Sequence, residues 1–307
     1  MFKHTSVLLK ESIDSLKIEE DGIYIDATLG RAGHSKEILL SLGDNGRLIC
    51  VDKDLEAIAY AKELFKDDKR VIVVHSSFSE LFEVIESMDL IGKVSGILFD
   101  LGVSSPQLDD SSRGFSFMRN GPLDMRMDTS QGISVADWLA KAEEKEIVKI
   151  LFEYGEEKFA RRIAGSILKQ REISAIADTL TLAKLIKDTL PFYEKGKHPA
   201  TRSFQAFRIY INDELNDLKT ALNSAINILK PGGILSVISF HSLEDRIVKR
   251  MMAKGANADV PSSVPLTQSE LDKLKTLKLD KRIKPSKEEV SKNVRARSAI
   301  LRVATRI

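Results

Sequence analysis

Apolar runs alternate with helical patterns along the first hundred residues. Segments in which apolar residues recur every three or four positions predict amphipathic helices, here at 33–43, 55–65 and 78–88. Short, nearly continuous apolar runs precede or separate them and are typical of buried strands, at 22–28, 46–52, 70–76 and 95–100. Strands of this kind that alternate with helices predict an α/β fold with a parallel sheet covered on both faces.

The pattern changes after this region. Residues 107–132 are rich in Gly, Ser, Asp and Arg and predict a loop, and helical patterns without strands follow. One of them predicts a long helix from about 199 to 229. Strand character returns in two further segments, 232–242 and 298–307. The domain prediction is therefore a sheet domain of residues 1–107 and 209–307, interrupted by an inserted helical domain of residues 108–208.

Composition places the chain among cytoplasmic proteins. Apolar residues make up 43% and charged residues 30%, the proportions of an ordinary globular protein. Cys50 is the single cysteine, so no intramolecular disulfide forms, and no Cys/His group has the spacing of a zinc site. The stretch MFKHTSVLLKES has no apolar core of signal-peptide length, and no run approaches the roughly 20 apolar residues of a membrane span, so a cytoplasmic protein is expected.

The charge is unevenly distributed although the formal net charge is only +2. Residues 246–307 hold 16 Lys and Arg against 6 Asp and Glu, whereas residues 1–245 hold 31 against 39. A basic segment on an acidic body indicates a polyanionic partner, with a solvated basic tail as the alternative. Within it, 255–293 is rich in Lys, Ser and Pro and predicts a long basic loop.

A ligand-binding turn is predicted at the end of the first strand. The stretch IDATLGRAGHS, 25–35, reads as strand, glycine turn and helix start, and Gly30 and Gly33 allow a ligand to approach the backbone. Asp52 ends the second strand, where nucleotide-binding sheets carry the acid that holds ribose hydroxyls. The alternatives are a turn without a ligand and, for Asp52, an N-cap on the next helix.

The glycine spacing favours a sulfonium cofactor over NAD. It is G-x-x-G rather than G-x-G-x-x-G, so no loop for a pyrophosphate is evident. Asp26 lies where methyltransferases of this architecture carry an acid. Phe78, after the third strand, either lies against an adenine ring or packs its own helix onto the sheet.

Five further stretches together resemble one family. They are GRAGHS, DKD, DLGVSSPQLDDSSRGFSFMRNGPLDMRMD, HPATRSFQAFRIYIN and SFHSLEDRIVK, and the likeness runs from HTSVLL to RARSAILRV. They resemble the bacterial small-subunit ribosomal RNA (cytosine-N4)-methyltransferases, the RsmH/MraW family. The resemblance implies a class I S-adenosyl-L-methionine-dependent methyltransferase fold (Rossmann-like) with an inserted all-α domain. It also implies methylation of a cytidine in the decoding region of 16S ribosomal RNA, on free RNA or on the assembled small subunit, with no metal.

The same resemblance implies a set of site residues. The cofactor contacts are expected at Ala32, Gly33, His34, Asp52, Phe78, Asp100 and Gln107. The family usually has glycine where this chain has Ala32. The alanine side chain is compatible with a cofactor contact that is made through the backbone amide.

The catalytic residues are expected at Asp100, Ser104, Ser105 and Pro106. Asp100 follows the fourth strand and would accept hydrogen bonds from an amino group of the cofactor, of the cytosine, or of both. The two serines and the proline would shape a turn that faces the base, and Gln107 can both donate and accept. The alternative is that Asp100 caps a turn and that the serines supply the hydrogen bonds its carboxylate needs.

Other residues are candidates for binding the RNA. His241 would line the target pocket or be a hydrogen-bonded structural histidine. Phe115, Phe117 and Phe240 would stack on the base or pack in the core. Arg113, Arg119 and Arg126, with the basic C-terminal segment, would hold phosphates.

Three other functions use parts of the same pattern. An NAD-dependent oxidoreductase predicts a pyrophosphate loop and a proton relay. A non-catalytic assembly factor predicts decay of the 100–107 motif, which is intact here. Methyl transfer to DNA or to protein fits the same residues, and only the family resemblance excludes it.

Overall fold

The computed structural model describes residues 6–192, 196, 198–257 and 267–307. The strands form one seven-stranded sheet: β1 (Ile23–Asp26), β2 (Arg47–Asp52), β3 (Val71–His75), β4 (Val94–Asp100), β5 (Leu229–Ser239), β6 (Leu277–Leu279) and β7 (Ile300–Arg306). Their order across the sheet is β3-β2-β1-β4-β5-β7-β6. Strands β1 to β5 are mutually parallel, whereas β7 runs antiparallel to both β5 and β6. The predicted α/β fold is confirmed.

Helices account for most of the remaining described chain. In chain order they are α1 (Leu9–Leu16), α2 (Gly33–Ser41), α3 (Leu55–Leu64), α4 (Leu81–Ser87), α5 (Ser105–Asp109), α6 (Val135–Lys141), α7 (Glu144–Gly155), α8 (Ala160–Ile173), α9 (Thr179–Thr189), α10 (Thr201–Ile211), α11 (Glu214–Ile228), α12 (Ser242–Asn257), α13 (Gln268–Leu274) and α14 (Lys287–Lys292). No helix among these described residues has the length and apolar character needed to cross a bilayer.

Alternate residues of the strands enter two different apolar clusters. Ile25, Ile49 and Ile97 belong to one cluster. Their neighbours Tyr24 and Leu48 belong to the other, and all five are almost fully buried. Because successive side chains of a strand point to opposite faces, both faces of the sheet are covered. This double burial explains why the strands are nearly continuous apolar runs.

The chain divides into two compact units. One comprises the chain up to Gly102 together with Leu215–Ile307, and the other is the continuous segment Val103–Glu214. These bounds differ by a few residues from the predicted 108 and 208. At the first bound, Leu108 of α5 packs against the apolar cluster of the helical unit. At the second, Arg208 of α10 forms a bidentate ion pair with Glu214.

The predicted single helix over 199–229 is wrong. Helix α10 ends at Ile211 and α11 begins at Glu214, because Asp213 between them has a φ of 49°. The Asn212 side chain links the end of α10 to another segment, since its amide donates to the Arg208 and Met125 carbonyls at 2.9 and 2.7 Å and its oxygen accepts from Met127 N–H at 2.7 Å. The bonds to Met125 and Met127 fix the backbone of the 125–127 segment.

The prediction of one long basic loop over 255–293 is also wrong for the described residues. Helices α13 and α14 and strand β6 lie within it. Strand β6 is only three residues long and buries only Leu277, which is too short to show a period in the sequence. Residues 258–266 of this prediction lie outside the described residues.

Candidate functional site

Three neighbouring parallel strands each end in an aspartate. Asp26 ends β1, Asp52 ends β2 and Asp100 ends β4. Asp26 pairs in register with Cys50 of β2 and Leu98 of β4, so Asp52 and Asp100 each extend two residues beyond it. The carboxyl ends of parallel strands are where open α/β sheets bind ligands. The predicted acids therefore share one edge of the sheet.

Asp26 holds the turn that follows β1. One carboxyl oxygen accepts from the Ser35 hydroxyl at 2.6 Å, and the other accepts from Thr28 N–H at 3.2 Å. Burial raises the pKa of Asp26 to about 6, against the hydrogen bonds from these two residues. Both oxygens thus have protein partners, which indicates a structural function. Sequence analysis did not identify Ser35, although it lies in the same GHS stretch.

Two residues of the turn have left-handed backbones. Gly30 has a φ of 50° and Ala32 a φ of 59°. Glycine adopts this conformation freely, whereas alanine loses about 1 kcal/mol there. Ala32 precedes α2, whose first residue is Gly33, and a Cβ at Gly33 would collide with the Ser6 hydroxyl. Ala32 therefore adopts a conformation that glycine would adopt without this cost.

Asp52 connects the end of β2 to this turn. Its carboxylate accepts from Gly30 N–H and from Asp54 N–H, both at 2.8 Å. The N-cap of α3 is Asp54 rather than Asp52, because Asp54 accepts from Glu56 N–H. Burial raises the pKa of Asp52 to about 6. Each carboxylate oxygen can accept a second hydrogen bond, so Asp52 retains capacity for a hydroxyl donor.

Asp100 has a carboxyl oxygen with no hydrogen-bond partner among the described residues. Its backbone N–H donates to the Thr28 hydroxyl at 2.6 Å, and its Oδ2 lies 3.6 Å from Nδ1 of the buried His34. Oδ1 is buried and accepts no hydrogen bond from any described residue. Burial raises the pKa of Asp100 to about 6, opposed by His34 and reinforced by Asp26 and Glu244. Because buried polar atoms are almost always hydrogen-bonded, Oδ1 indicates a donor supplied by a ligand.

Phe78 packs against the sheet. Its ring meets that of Phe99 edge-on, with centroids 5.8 Å apart, and it borders the same apolar cluster as Ile25. The packing function considered for Phe78 is therefore present. Its side chain is only half-buried, which leaves ring surface for an adenine.

The segment after Asp100 begins a short helix with a reciprocal cap. Gln107 Oε1 accepts from Ser104 N–H at 2.8 Å, and the Ser104 hydroxyl accepts from Gln107 N–H at 3.5 Å. Ser105 and Pro106 occupy the first turn of α5, where the missing N–H of proline costs nothing. The structure thus gives Ser104 and Gln107 a capping function that sequence analysis did not assign, although S-x-x-Q is its usual signature.

His241 has a capping function at the start of α12. Its Nδ1 accepts from Glu244 N–H at 3.4 Å, and its Nε2 lies 3.1 Å from Glu244 Oε1. Glu244 Oε2 also accepts from Phe240 N–H and His241 N–H. These contacts give His241 a structural function, although its buried Nε2 makes no hydrogen bond with any described residue.

The aromatic candidates for base stacking lie mostly in cores. Phe115 is buried in the cluster of the helical unit, and Phe117 packs against His198 and Phe204 at 4.5 and 4.8 Å between ring centroids. Phe240 borders the cluster that contains Tyr24. For Phe115 and Phe117, the structure therefore favours core packing over base stacking.

Two of the arginines expected to hold phosphates are already engaged. Arg113 is buried, and its guanidinium donates to the Arg126 and Met127 carbonyls. Arg126 makes a bidentate pair with Asp124 and also donates to two carbonyls. Arg119 is exposed and reaches the Asp109 carbonyl at 3.5 Å. These contacts order the 113–131 loop and favour a structural function for Arg113 and Arg126.

The carboxylate edge fits S-adenosyl-L-methionine. That cofactor presents an ammonium group, two ribose hydroxyls and an adenine amino group, which are all hydrogen-bond donors. Asp52 and Asp100 supply acceptors at the ends of β2 and β4, the two strands that flank β1. The sheet and this edge define a class I S-adenosyl-L-methionine-dependent methyltransferase.

The chain belongs to the MraW methylase family, whose model matches residues 1–307. The ribosomal RNA small subunit methyltransferase H of Alteromonas mediterranea is 55% identical over 308 residues, which cover 100% of this chain and 98% of that protein. The protein of the same name from Pseudoalteromonas atlantica is 55% identical over 306 residues, covering 99% and 98%. Among solved structures, an rRNA methylase from Streptococcus thermophilus has a TM-score of 0.45 and 10% identity, covering 100% of this chain and 99% of that one.

Proposed function

We propose that this chain transfers the methyl group of S-adenosyl-L-methionine to the N4 amino group of a cytidine in the decoding region of 16S ribosomal RNA. The observation that carries the proposal is the buried, unpartnered Oδ1 of Asp100 at the end of β4. Relatives at 55% identity over the whole chain, named for the RNA of the small ribosomal subunit, support the substrate class. Such a reaction takes place in the cytoplasm, where ribosomal subunits are assembled.

The chemistry requires alignment more than acid or base strength. When bound, the cofactor supplies a methyl group already activated on a sulfonium. The cytosine amino nitrogen would form the new N–C bond as the S–C bond breaks, and one N–H proton would then pass to Oδ1 of Asp100 or through it to water. Holding the two reactants in line contributes about 7–11 kcal/mol in favourable cases. Because the nitrogen becomes acidic only as the methyl transfers, no strong base is needed.

Asp100 is the residue we assign to the amino group. Its Oδ1 is the free acceptor, and the carboxylate strengthens its hydrogen bond as the nitrogen gains positive charge. Thr28 fixes the backbone of Asp100 through the bond to its N–H. Ser104, Ser105 and Pro106 would shape the approach of the base, and their helix cap keeps that turn ordered.

The cofactor is assigned to the turn and the neighbouring strand ends. Asp52 would accept from the ribose hydroxyls, and the backbone at Ala32, Gly33 and His34 would approach the methionine moiety. Phe78 would face the adenine. Gln107 would contact the cofactor in addition to capping α5.

Transfer of labelled methyl to small ribosomal subunits from cells that lack this protein tests the proposal. The RNA is digested and its nucleosides are identified, with purified 16S ribosomal RNA as a second acceptor. Label in N4-methylcytidine is the expected result. Label in another nucleoside, or none while the cofactor still binds, would contradict the assigned acceptor. Failure to bind the cofactor would contradict the assigned turn.

A further inference from the structure

The helical unit contains a polar groove between α8 and α9. Its volume is about 660 Å³. The α8 side comes from residues at 161–162, 165–166 and 169–170, which recur every four positions and so share one helix face. The facing side comes from α9, including Lys184 and Asp188.

The groove is basic, and most of its positive charge is unpaired. Four cations and one carboxylate line it: Arg161, Arg162, Lys169, Lys184 and Asp188. Lys184 pairs with Asp188. Arg161, Arg162 and Lys169 make no ion pair or hydrogen bond with any residue of the described chain, and all three are exposed.

Arg161, Arg162 and Lys169 differ in this respect from other arginines of the helical unit, which bind other residues of the unit. Arg171, on the same helix, donates to the Leu139 and Ala142 carbonyls at 3.0 and 2.7 Å. Arg126 is held by Asp124. These cations stabilise the fold, whereas Arg161, Arg162 and Lys169 have no such function within the described residues.

The spacing of the cations fits a nucleic-acid strand. Residues 161 and 169 are separated by eight helical steps, which is about 12 Å along the helix axis. Cations spread over that length can contact more than one phosphate of the same strand. Guanidinium groups also match phosphate oxygens in a two-pronged geometry.

An exposed aromatic ring lies next to the same arginines. Arg161 and Arg162 also border a second depression, between α7 and α8, which contains Phe152 with 67% of its surface exposed. Proteins that bind single-stranded nucleic acid combine a cationic groove with aromatic rings on which bases stack.

We propose that the α8–α9 groove binds the sugar–phosphate backbone of a single-stranded segment of the substrate RNA. Arg161, Arg162 and Lys169 hold its phosphates, and Phe152 stacks on a neighbouring base. This inference rests on the proposed function, because that function supplies the RNA. It adds a binding surface built from the helical unit alone.

Gly165 allows a test that keeps the fold intact. It lies in the middle of α8 and lines the groove, and a Cβ built on it meets nothing within 4 Å. Replacing a glycine inside a helix raises helix stability. Gly165→Glu therefore introduces negative charge into the groove in a protein at least as stable as the original, and Gly165→Gln is its neutral control.

Binding is measured by fluorescence anisotropy with labelled 16S ribosomal RNA transcript, at several salt concentrations. We expect Gly165→Glu and the double variant Arg161→Glu/Arg162→Glu to weaken binding at least tenfold. In the double variant, the slope of log affinity against log salt falls by about 0.7–0.9 for each phosphate that the protein no longer neutralises. Lys141→Glu, which changes an exposed lysine outside the groove, should change the affinity less than twofold.

Methyl transfer to small subunits separates binding from chemistry. The groove variants should raise KM for the subunit while the affinity for S-adenosyl-L-methionine stays unchanged. Unchanged RNA affinity in both groove variants would overturn the inference. Weaker binding to subunits with unchanged binding to the RNA transcript would also overturn it, in favour of a ribosomal protein. The wild-type protein could also transfer no methyl group while the groove variants bind RNA more weakly than it does. That outcome would support the groove and overturn the proposed function.

Discussion

The imidazole Nδ1 of His34 faces the carboxyl Oδ2 of Asp100 at 3.6 Å. The other ring nitrogen, Nε2, lies 3.3 Å from the Val7 carbonyl oxygen, which can only accept a hydrogen bond. These two contacts place the His34 ring between the Val7 carbonyl and the end of β4, so His34 is positioned directly beside the predicted catalytic acid.

Replacing Asp100 tests the assigned acceptor. Asp100→Asn keeps the size of the side chain and removes the carboxylate, and we expect methyl transfer to slow by about 10²–10⁴-fold. Single-turnover transfer measures the step, and circular dichroism confirms the fold. Asp100→Ala should be at least as slow. Normal single-turnover rates in both variants would remove Asp100 from the mechanism.

Asp52 is expected to control cofactor affinity. Asp52→Asn keeps an acceptor for one of the two backbone N–H groups and loses the charge that strengthens bonds to ribose hydroxyls. Hydrogen bonds to charged groups contribute about 1.5–3 kcal/mol, so Kd for S-adenosyl-L-methionine should rise about 10–100-fold. Titration calorimetry measures it, with Asp54→Asn at the neighbouring N-cap as the matched control. Equal losses of affinity in both variants would indicate a disturbed turn instead.

The three aspartates predict an unusual pH dependence of stability. Their pKa values are raised to about 6 by burial, above the ordinary value of 3.8. The folded protein therefore favours their protonated forms. This stabilising contribution is complete below about pH 4 and is lost as the pH rises through about 6.

The cofactor-free protein should consequently have a higher Tm at pH 5.5 than at pH 7.5. Thermal unfolding followed by circular dichroism at both values measures the difference. In the double variant Asp52→Asn/Asp100→Asn the difference should shrink, because two of the three groups no longer titrate. An equal difference in the variant would mean that other groups cause it.

Gln107 allows its two functions to be separated. Gln107→Ala removes the reciprocal cap of α5 and should cost about 1 kcal/mol of the free energy of unfolding. Gln107→Glu keeps an acceptor for Ser104 N–H and removes the amide donor. If the amide binds the cofactor, Gln107→Glu retains stability but binds S-adenosyl-L-methionine more weakly. Full affinity in this variant would leave capping as the function of Gln107.

Phe152 should matter for RNA and little for folding. Its ring is 67% exposed, so Phe152→Ala removes little buried surface. A stacked base contributes about 1–3 kcal/mol, and we expect RNA affinity to fall about tenfold. Anisotropy with the 16S transcript measures the change, and Phe152→Trp, which keeps an aromatic face, is the control. Wild-type affinity in the alanine variant would exclude base stacking at this position.

Most of the sheet was predictable because β1, β2 and β4 are buried on both faces and are therefore short apolar runs. Strand β3 is an apolar run although none of its residues is fully buried. Each predicted range for these four strands contains or nearly matches the observed one. Strand β6 has three residues and one buried side chain, so no pattern indicates it. The break between α10 and α11 depends on one backbone angle at Asp213, which leaves the apolar spacing unchanged.

The acids of the site were predictable for a related reason, since each directly follows a buried strand. The arginines were not. An arginine that binds carbonyls of its own loop, such as Arg113, has the same sequence pattern as one that is free to bind a phosphate, such as Arg161. Only the folded positions of their neighbours distinguish them. The S-x-x-Q pattern at Ser104 is typical of a helix cap, but Ser104 was assigned a catalytic function and no cap was predicted.

The place of β7 determines the order in which this protein can assemble during synthesis. The helical unit is continuous in sequence and can form while the sheet still lacks β5. Strand β7 follows the other strands in the chain yet lies between β5 and β6, and β6 pairs with β7 alone. Until β7 leaves the ribosome, β5 is an open edge available to other chains. A nascent protein stalled before residue 300 therefore exposes the edge of β5 to pairing with other chains.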